Sequence, residues 1–137
     1  MDAAEERLDG RWVRAWCERG GAVVVRATDE SRRATEALVD LTPIPSDLTT
    51  LYWVLAEVRL PDGRRVHPPA TVAGLFREHG EIEIPGEQPA LVFAMTADGH
   101  PCVLSGSGRV WEATSPSVAG QFDLMASSLR DFLEIRR

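Results

Sequence analysis

The sequence predicts an α+β domain in which helices pack against a mostly antiparallel sheet. Apolar residues recur at helical spacing in several segments of the chain. In the C-terminal half, short apolar runs alternate with glycine-containing turns, which predicts a three-strand antiparallel meander. A length of 137 residues and a hydrophobic fraction of 44% are typical of one compact domain, so residues 1–137 are expected to fold together.

The first 41 residues are predicted to form two helices separated by a strand. Residues 2–19 carry an apolar stripe at helical spacing, and Gly20-Gly21 ends this helix. The stripe consists of Leu8, Trp12, Ala15 and Trp16. The β-branched run within 22–27 predicts a strand. Thr28 or Asp29 can then cap a second helix over roughly 30–40.

The middle of the chain predicts a short helix, a hairpin and another helix. Ser46 is an expected N-cap, and a strand is expected within 54–60, although continuation of the helix to about 57 is the alternative. Pro61-Asp62-Gly63 predicts a turn into a second strand over 64–67. Residues 70–79 are expected to form a helix that ends at Gly80.

The meander is predicted from three apolar runs separated by turns: Ala90–Met95, Pro101–Ser105 and Arg109–Glu112. The first run is apolar throughout, as expected for a strand that is covered on both faces. Residues 113–123 are rich in Ser, Pro, Ala and Gly and are expected to form a loop. Ser127 or Ser128 can cap a final helix that packs through Leu129, Phe132 and Leu133.

Residues 90–135 resemble the SUKH superfamily. The matching segments are Leu91-Val92-Phe93-Ala94 with Asp98-Gly99, Cys102-Val103-Leu104, Gly108-Arg109-Val110-Trp111, and Ser128 followed by Phe132-Leu133. Upstream, Ile44-Pro45-Ser46-Asp47-Leu48 is similar to the family's entry into a helix. The residues that follow depart from the family pattern, because Val54-Leu55-Ala56-Glu57 replaces the usual glycine-containing turn.

The resemblance implies a single SUKH-like domain whose role is protein recognition. The family includes fungal cell-wall synthesis regulators and many bacterial toxin-immunity proteins. We therefore expect an immunity protein that neutralises a cognate toxin. Residues 1–40 show no resemblance, which makes a divergent N-terminal extension one interpretation of that segment.

The charge pattern favours a basic protein partner over nucleic acid. The formal charge is −6 and the chain has no run of five or more basic residues, whereas phosphate binding requires a basic stripe. An acidic cluster over 78–87 is a candidate docking surface for a basic toxin domain, and a solvated face is the alternative. Together with an aromatic residue, the candidate partner-binding residues are Glu78, Glu81, Glu83, Glu87 and Trp111.

No catalytic, metal or cofactor site is predicted, and an enzyme is not expected. His67, His79 and His100 fall into no metal-ligand spacing, and surface positions explain them. Cys17 and Cys102 form no CxxC pair and are expected to be small core residues. The glycines of 106–108 link two strands and lack the lysine of a phosphate-binding loop.

The sequence also favours a cytoplasmic protein without a membrane partner. Its N-terminus lacks the apolar region of a signal peptide, and no apolar stretch approaches the roughly 20 residues that span a bilayer. The alternative function is a small-molecule-binding or regulatory domain, with the ligand held between the meander and the helices. A homodimer formed through an exposed strand edge is compatible with either function.

Overall fold

The computed structural model describes residues 8–135, which form five helices and seven strands. The helices are α1 (Gly10–Glu18), α2 (Asp29–Leu41), α3 (Ser46–Val54), α4 (Pro69–His79) and α5 (Leu129–Glu134). The strands are β1 (Val23–Arg26), β2 (Leu55–Arg59), β3 (Arg65–Val66), β4 (Ala90–Met95), β5 (Pro101–Ser105), β6 (Val110–Ala113) and β7 (Phe122–Ala126). The predicted α+β class is confirmed.

The strands form one antiparallel sheet whose spatial order follows the chain from β1 to β7. The predicted three-strand meander corresponds to β4–β6 and is therefore only part of a seven-stranded sheet. β1 joins it by pairing Val24 with Val58 of β2. Residues 8–41 thus contribute a strand to the sheet, and Val13 and Leu38 are fully buried in its main core.

The two faces of the sheet are covered differently, and we call them the helix face and the loop face. The helix face carries the main core, in which Phe93 of β4 meets Phe132 of α5 edge to face at 5.3 Å. The loop face carries a smaller cluster that contains Val92 and Val103. Because successive residues of a strand point to opposite faces, the apolar run of β4 supplies both cores. The prediction of a doubly covered strand is confirmed.

Two helix starts follow from local hydrogen bonds. Thr28 caps α2: its hydroxyl accepts from the Ser31 N–H at 3.1 Å, and the Ser31 hydroxyl accepts from the Thr28 N–H at 2.8 Å. Ser128, rather than Ser127, caps α5 by accepting from the Asp131 N–H at 3.0 Å. In both cases a hydroxyl satisfies an N–H group that the first helical turn leaves unpaired.

Three predicted boundaries were wrong. Within the described residues α1 begins at Gly10, because the Asp9 carboxylate accepts from the Trp12 N–H at 2.7 Å; residues 2–7 of the predicted helix lie outside the described part. Ser46 is already helical and Pro45 occupies the cap position. The predicted loop 113–123 contains the end of β6 and the start of β7. In β7 the neighbouring residues Asp123 and Leu124 are both exposed, so the alternation of buried and exposed residues that is typical of a strand is interrupted.

Arg64 is the largest fully buried side chain, at 2% exposure, and it connects the β2–β3 turn to the C-terminal helix. Its Nε donates to Asp62 at 2.6 Å, and its two terminal nitrogens donate to the carbonyls of Phe132 and Ile135. The guanidinium also lies 4.8 Å from the centre of the Phe132 ring. One cation therefore satisfies carbonyls that the end of α5 leaves unpaired.

Replacing Arg64 with methionine is expected to destabilise the fold by about 3 kcal/mol, because two carbonyls would lose their donor and the Asp62 carboxylate would keep only the backbone N–H of residue 64. The free energy of unfolding in urea measures this. Arg59→Met is the matched control, since Arg59 is 62% exposed in its pair with Glu57 and should cost less than about 1 kcal/mol. Equal losses in the two variants would contradict this role of Arg64.

Ser128→Ala is expected to lower stability by about 1 kcal/mol, because the cap of α5 is lost. Ser127→Ala is the control: among the residues that the structure describes, the Ser127 hydroxyl bonds only the exposed carboxylate of Asp131, at 2.6 Å, so it should matter less. Thermal and urea unfolding of both variants test the assignment. A larger loss in Ser127→Ala would reverse it.

Candidate functional site

Trp111 lies on the loop face, where it packs against the second cluster. Its neighbour Val110 is fully buried on the helix face, as strand alternation requires. Trp111 itself is half-buried, beside a cluster that includes Ile82 and Ile84. Its indole N–H is buried and has no acceptor among the described residues. Trp111 thus packs with the segment that carries the predicted acidic cluster.

The acidic side chains of that segment alternate with its isoleucines. Ile82 pairs with Ala90 at the start of β4 through hydrogen bonds of 2.8 and 3.0 Å, and it is buried on the loop face. Glu81 and Glu83 are exposed and lie on the side of the segment opposite to the two buried isoleucines. Glu81 lines a cavity with Leu91 and Leu104, which both belong to the helix face. The structure therefore does not gather these two glutamates around Trp111.

Glu87 is shielded from solvent and bonded to residues outside the acidic cluster. Its side chain is only 4% exposed, and it lies 3.2 Å from the guanidinium of Arg109 and 2.8 Å from the Gln88 N–H. Burial acts to raise the pKa of Glu87, but hydrogen bonds from Gln88, Ser107 and Arg109 and the Arg109 charge outweigh it and lower the pKa. Glu87 therefore secures the end of the β5–β6 hairpin.

Glu78, the first residue of the predicted cluster, lies at the C-terminal end of α4. Its carboxylate is 68% exposed and lies 3.9 Å from His79. The predicted docking surface is thus divided: Glu78, Glu81 and Glu83 are open to solvent, Glu87 is paired and shielded, and Trp111 is on the other face of the sheet.

The cavity beside Glu81 has a volume of about 340 Å³ and lies between the 42–45 loop, α4 and the first residues of β4. Pro43, Ile44 and Phe76 make its walls largely apolar. Glu81 is the one charged residue among the described residues that line it. We call it the Glu81 cavity. The 42–45 loop overlaps residues 44–48, which the sequence indicated only as the start of a helix.

The most exposed tryptophan of the described chain is Trp53, whereas the sequence prediction singled out Trp111. It is 44% exposed, and the Arg32 guanidinium lies 5.4 Å from its ring centre. Arg32 also donates twice to the Trp53 carbonyl, at 3.0 and 3.1 Å. Exposure is a tertiary property, so no local pattern distinguishes Trp53.

The cysteines lie in or against the main core. Cys102 is buried with its sulfur 4.0 Å from that of Met125, and burial raises the pKa of the half-buried Cys17 thiol. Residues 8–135 contain no group of three or more His, Cys, Asp and Glu side chains able to hold a metal ion. Within the same residues, no helix is long and apolar enough to cross a membrane.

Comparisons with known proteins leave the family open. No protein-family model matches the chain. No curated protein matches it at a significant level either.

Because its pKa is lowered in the folded protein, Glu87 stabilises the fold above the unfolded-state pKa of about 4.3, and this contribution is lost as the pH falls through the folded-state pKa. The difference in unfolding free energy between wild type and Glu87→Gln should therefore be constant near neutral pH and shrink towards acid. Urea titrations over this range measure it. The exposed Glu83→Gln control should show little difference, and a gap that widens in acid would contradict the assignment.

Proposed function

We propose that this protein is a non-catalytic, SUKH-like protein-binding domain that acts as an immunity protein against a cognate bacterial toxin. It would act in the cytoplasm of the toxin-producing cell and mask a basic surface of the toxin. The observation that carries the proposal is the Glu81 cavity, where one carboxylate stands in an otherwise uncharged, largely apolar recess.

A basic side chain of a partner fits this recess. Arginine and lysine have apolar stems that pack on apolar walls while the charged end reaches a carboxylate. In the Glu81 cavity, Ile44 and Phe76 supply such walls and Glu81 supplies the carboxylate. Pairing a partner cation with Glu81 in a recess that the bound partner would shield from water gives both affinity and register, as at the centre of many protein interfaces.

The surrounding charges favour the approach of a basic partner. Glu83 is exposed close by in the chain, and Glu78 is 68% exposed at the end of α4. The chain as a whole carries a formal charge of −6. Such a field raises the association rate of a cationic partner at low ionic strength and loses this effect as salt is added.

The two edges of the sheet offer two routes to a homodimer. Within residues 8–135, β1 and β7 each have a strand neighbour on one side only, and Val23 and Leu124 on them are 69% and 55% exposed. Either edge could pair with a second copy of the chain, so a homodimer remains part of the proposal. Size-exclusion chromatography with light scattering distinguishes a monomer from a dimer.

The double variant Glu81→Lys/Glu83→Lys is expected to abolish protection against the toxin domain encoded beside this gene. Charge reversal would repel a basic partner and lower its association rate by at least about tenfold at low salt. Growth after co-expression tests protection, and surface plasmon resonance at two salt concentrations tests the rate. The matched control is Glu36→Lys, because Glu36 is exposed on α2 away from the cavity.

Two results would overturn the proposal. The first is wild-type protein that neither protects against nor binds the neighbouring toxin domain. The second is a double variant that binds as well as Glu36→Lys, which would place the interface elsewhere.

A further inference from the structure

A second cavity opens on the loop face, between the C-terminal part of α4, the β4–β5 hairpin and the 116–118 loop. Its volume is about 460 Å³, within the range of small-molecule sites. Most of its lining is apolar, including Leu75, Val92, Met95 and Val118. His67 and His79, which are far apart in the sequence, both line it. We call it the histidine cavity.

The imidazole of His67 lines this cavity and is available to bond a ligand. Its backbone is fixed, because its N–H donates to the Phe93 carbonyl at 2.9 Å and its carbonyl accepts from the Tyr52 hydroxyl. Its ring makes no hydrogen bond to any described residue. Burial, and next the charge of Arg65, lower the pKa of His67. The imidazole is therefore neutral at neutral pH and presents one donor and one acceptor.

The electrostatic surroundings favour an anion. Arg65 is the cross-strand partner of Met95, so their side chains are neighbours on the same face. The carboxylate of Glu57 lies 2.8 Å from Arg65 and 3.2 Å from Arg59, so two cations share one anion. Arg65 reaches the side of the cavity through Met95, whereas the Glu78 carboxylate near His79 is 68% exposed and is screened by solvent.

We propose that the histidine cavity binds a small monocarboxylate with an apolar aliphatic or aromatic body. The apolar part lies against Leu75, Val92 and Val118, and the carboxylate accepts a hydrogen bond from His67 in the field of Arg65. This is a second binding activity, separate from the proposed masking of a toxin, because the Glu81 cavity shares no lining residue with the histidine cavity.

Titration with octanoate and with octanol tests the proposal, since the two probes share the apolar chain and differ in charge. Calorimetry and ¹H–¹⁵N NMR of the full chain are expected to show saturable octanoate binding, with shifts at Met95, Gly99 and Val118. Octanol should bind about tenfold more weakly, because it cannot accept the charge-assisted hydrogen bond. This comparison needs no variant.

The variants identify the groups responsible. His67→Leu should weaken octanoate binding about tenfold, His67→Gln should retain much of it, and Arg65→Gln should weaken it several-fold. Arg33→Gln, on the exposed surface of α2, is the control and should leave the octanoate Kd unchanged.

Each of the following outcomes would overturn the proposal: octanol that binds as tightly as octanoate, His67→Leu with an unaltered Kd, or shifts centred on another cavity, which Trp16 and Arg19 line. If His67→Leu fails to fold, the comparison of octanoate with octanol on the wild-type protein decides alone. Absence of octanoate binding at millimolar concentration also refutes it.

Discussion

The buried guanidinium of Arg64 is the interaction on which the closure of the fold depends. A charge at 2% exposure is tolerated only when its donors are satisfied, and here Asp62 and two backbone carbonyls satisfy them. Those carbonyls belong to Phe132 and Ile135, at the C-terminal end of a six-residue helix. So short a helix has little stability of its own. Arg64 and the packing of Phe132 on Phe93 therefore hold α5 on the helix face, opposite the loop face that carries the histidine cavity.

The elements that the sequence predicted well are those governed by local chemistry. Thr28 as a cap, Gly80 as a helix end and the apolar run of β4 each depend on residues close in the chain, and each is found in the structure. The extent of the sheet could not be read locally, because strand pairing joins distant segments. β7 was missed since an edge strand exposes one side: Leu124 is 55% exposed, so burial does not impose a full alternation.

The candidate sites were less predictable than the fold because they depend on which face a residue occupies. The sequence grouped four glutamates by proximity, yet alternation sends Glu81 and Ile82 to opposite sides of one segment. The sequence could not reveal that Arg109 pairs with Glu87, since the two residues are 22 positions apart in the chain. In the same way, His67 and His79 were assigned to the surface individually, and only the packing of α4 on the sheet brings both to one cavity.

The two cavities meet at one strand. Leu91 lines the Glu81 cavity and its neighbour Val92 lines the histidine cavity, so β4 is the wall between them. This strand is almost wholly buried, with β5 along one side and β3 and Ile82 along the other. A strand fixed in this way is close-packed and cannot shift for one occupant without disturbing both cores. One rigid strand thus separates the charged recess proposed for a protein partner from the apolar recess proposed for a small anion.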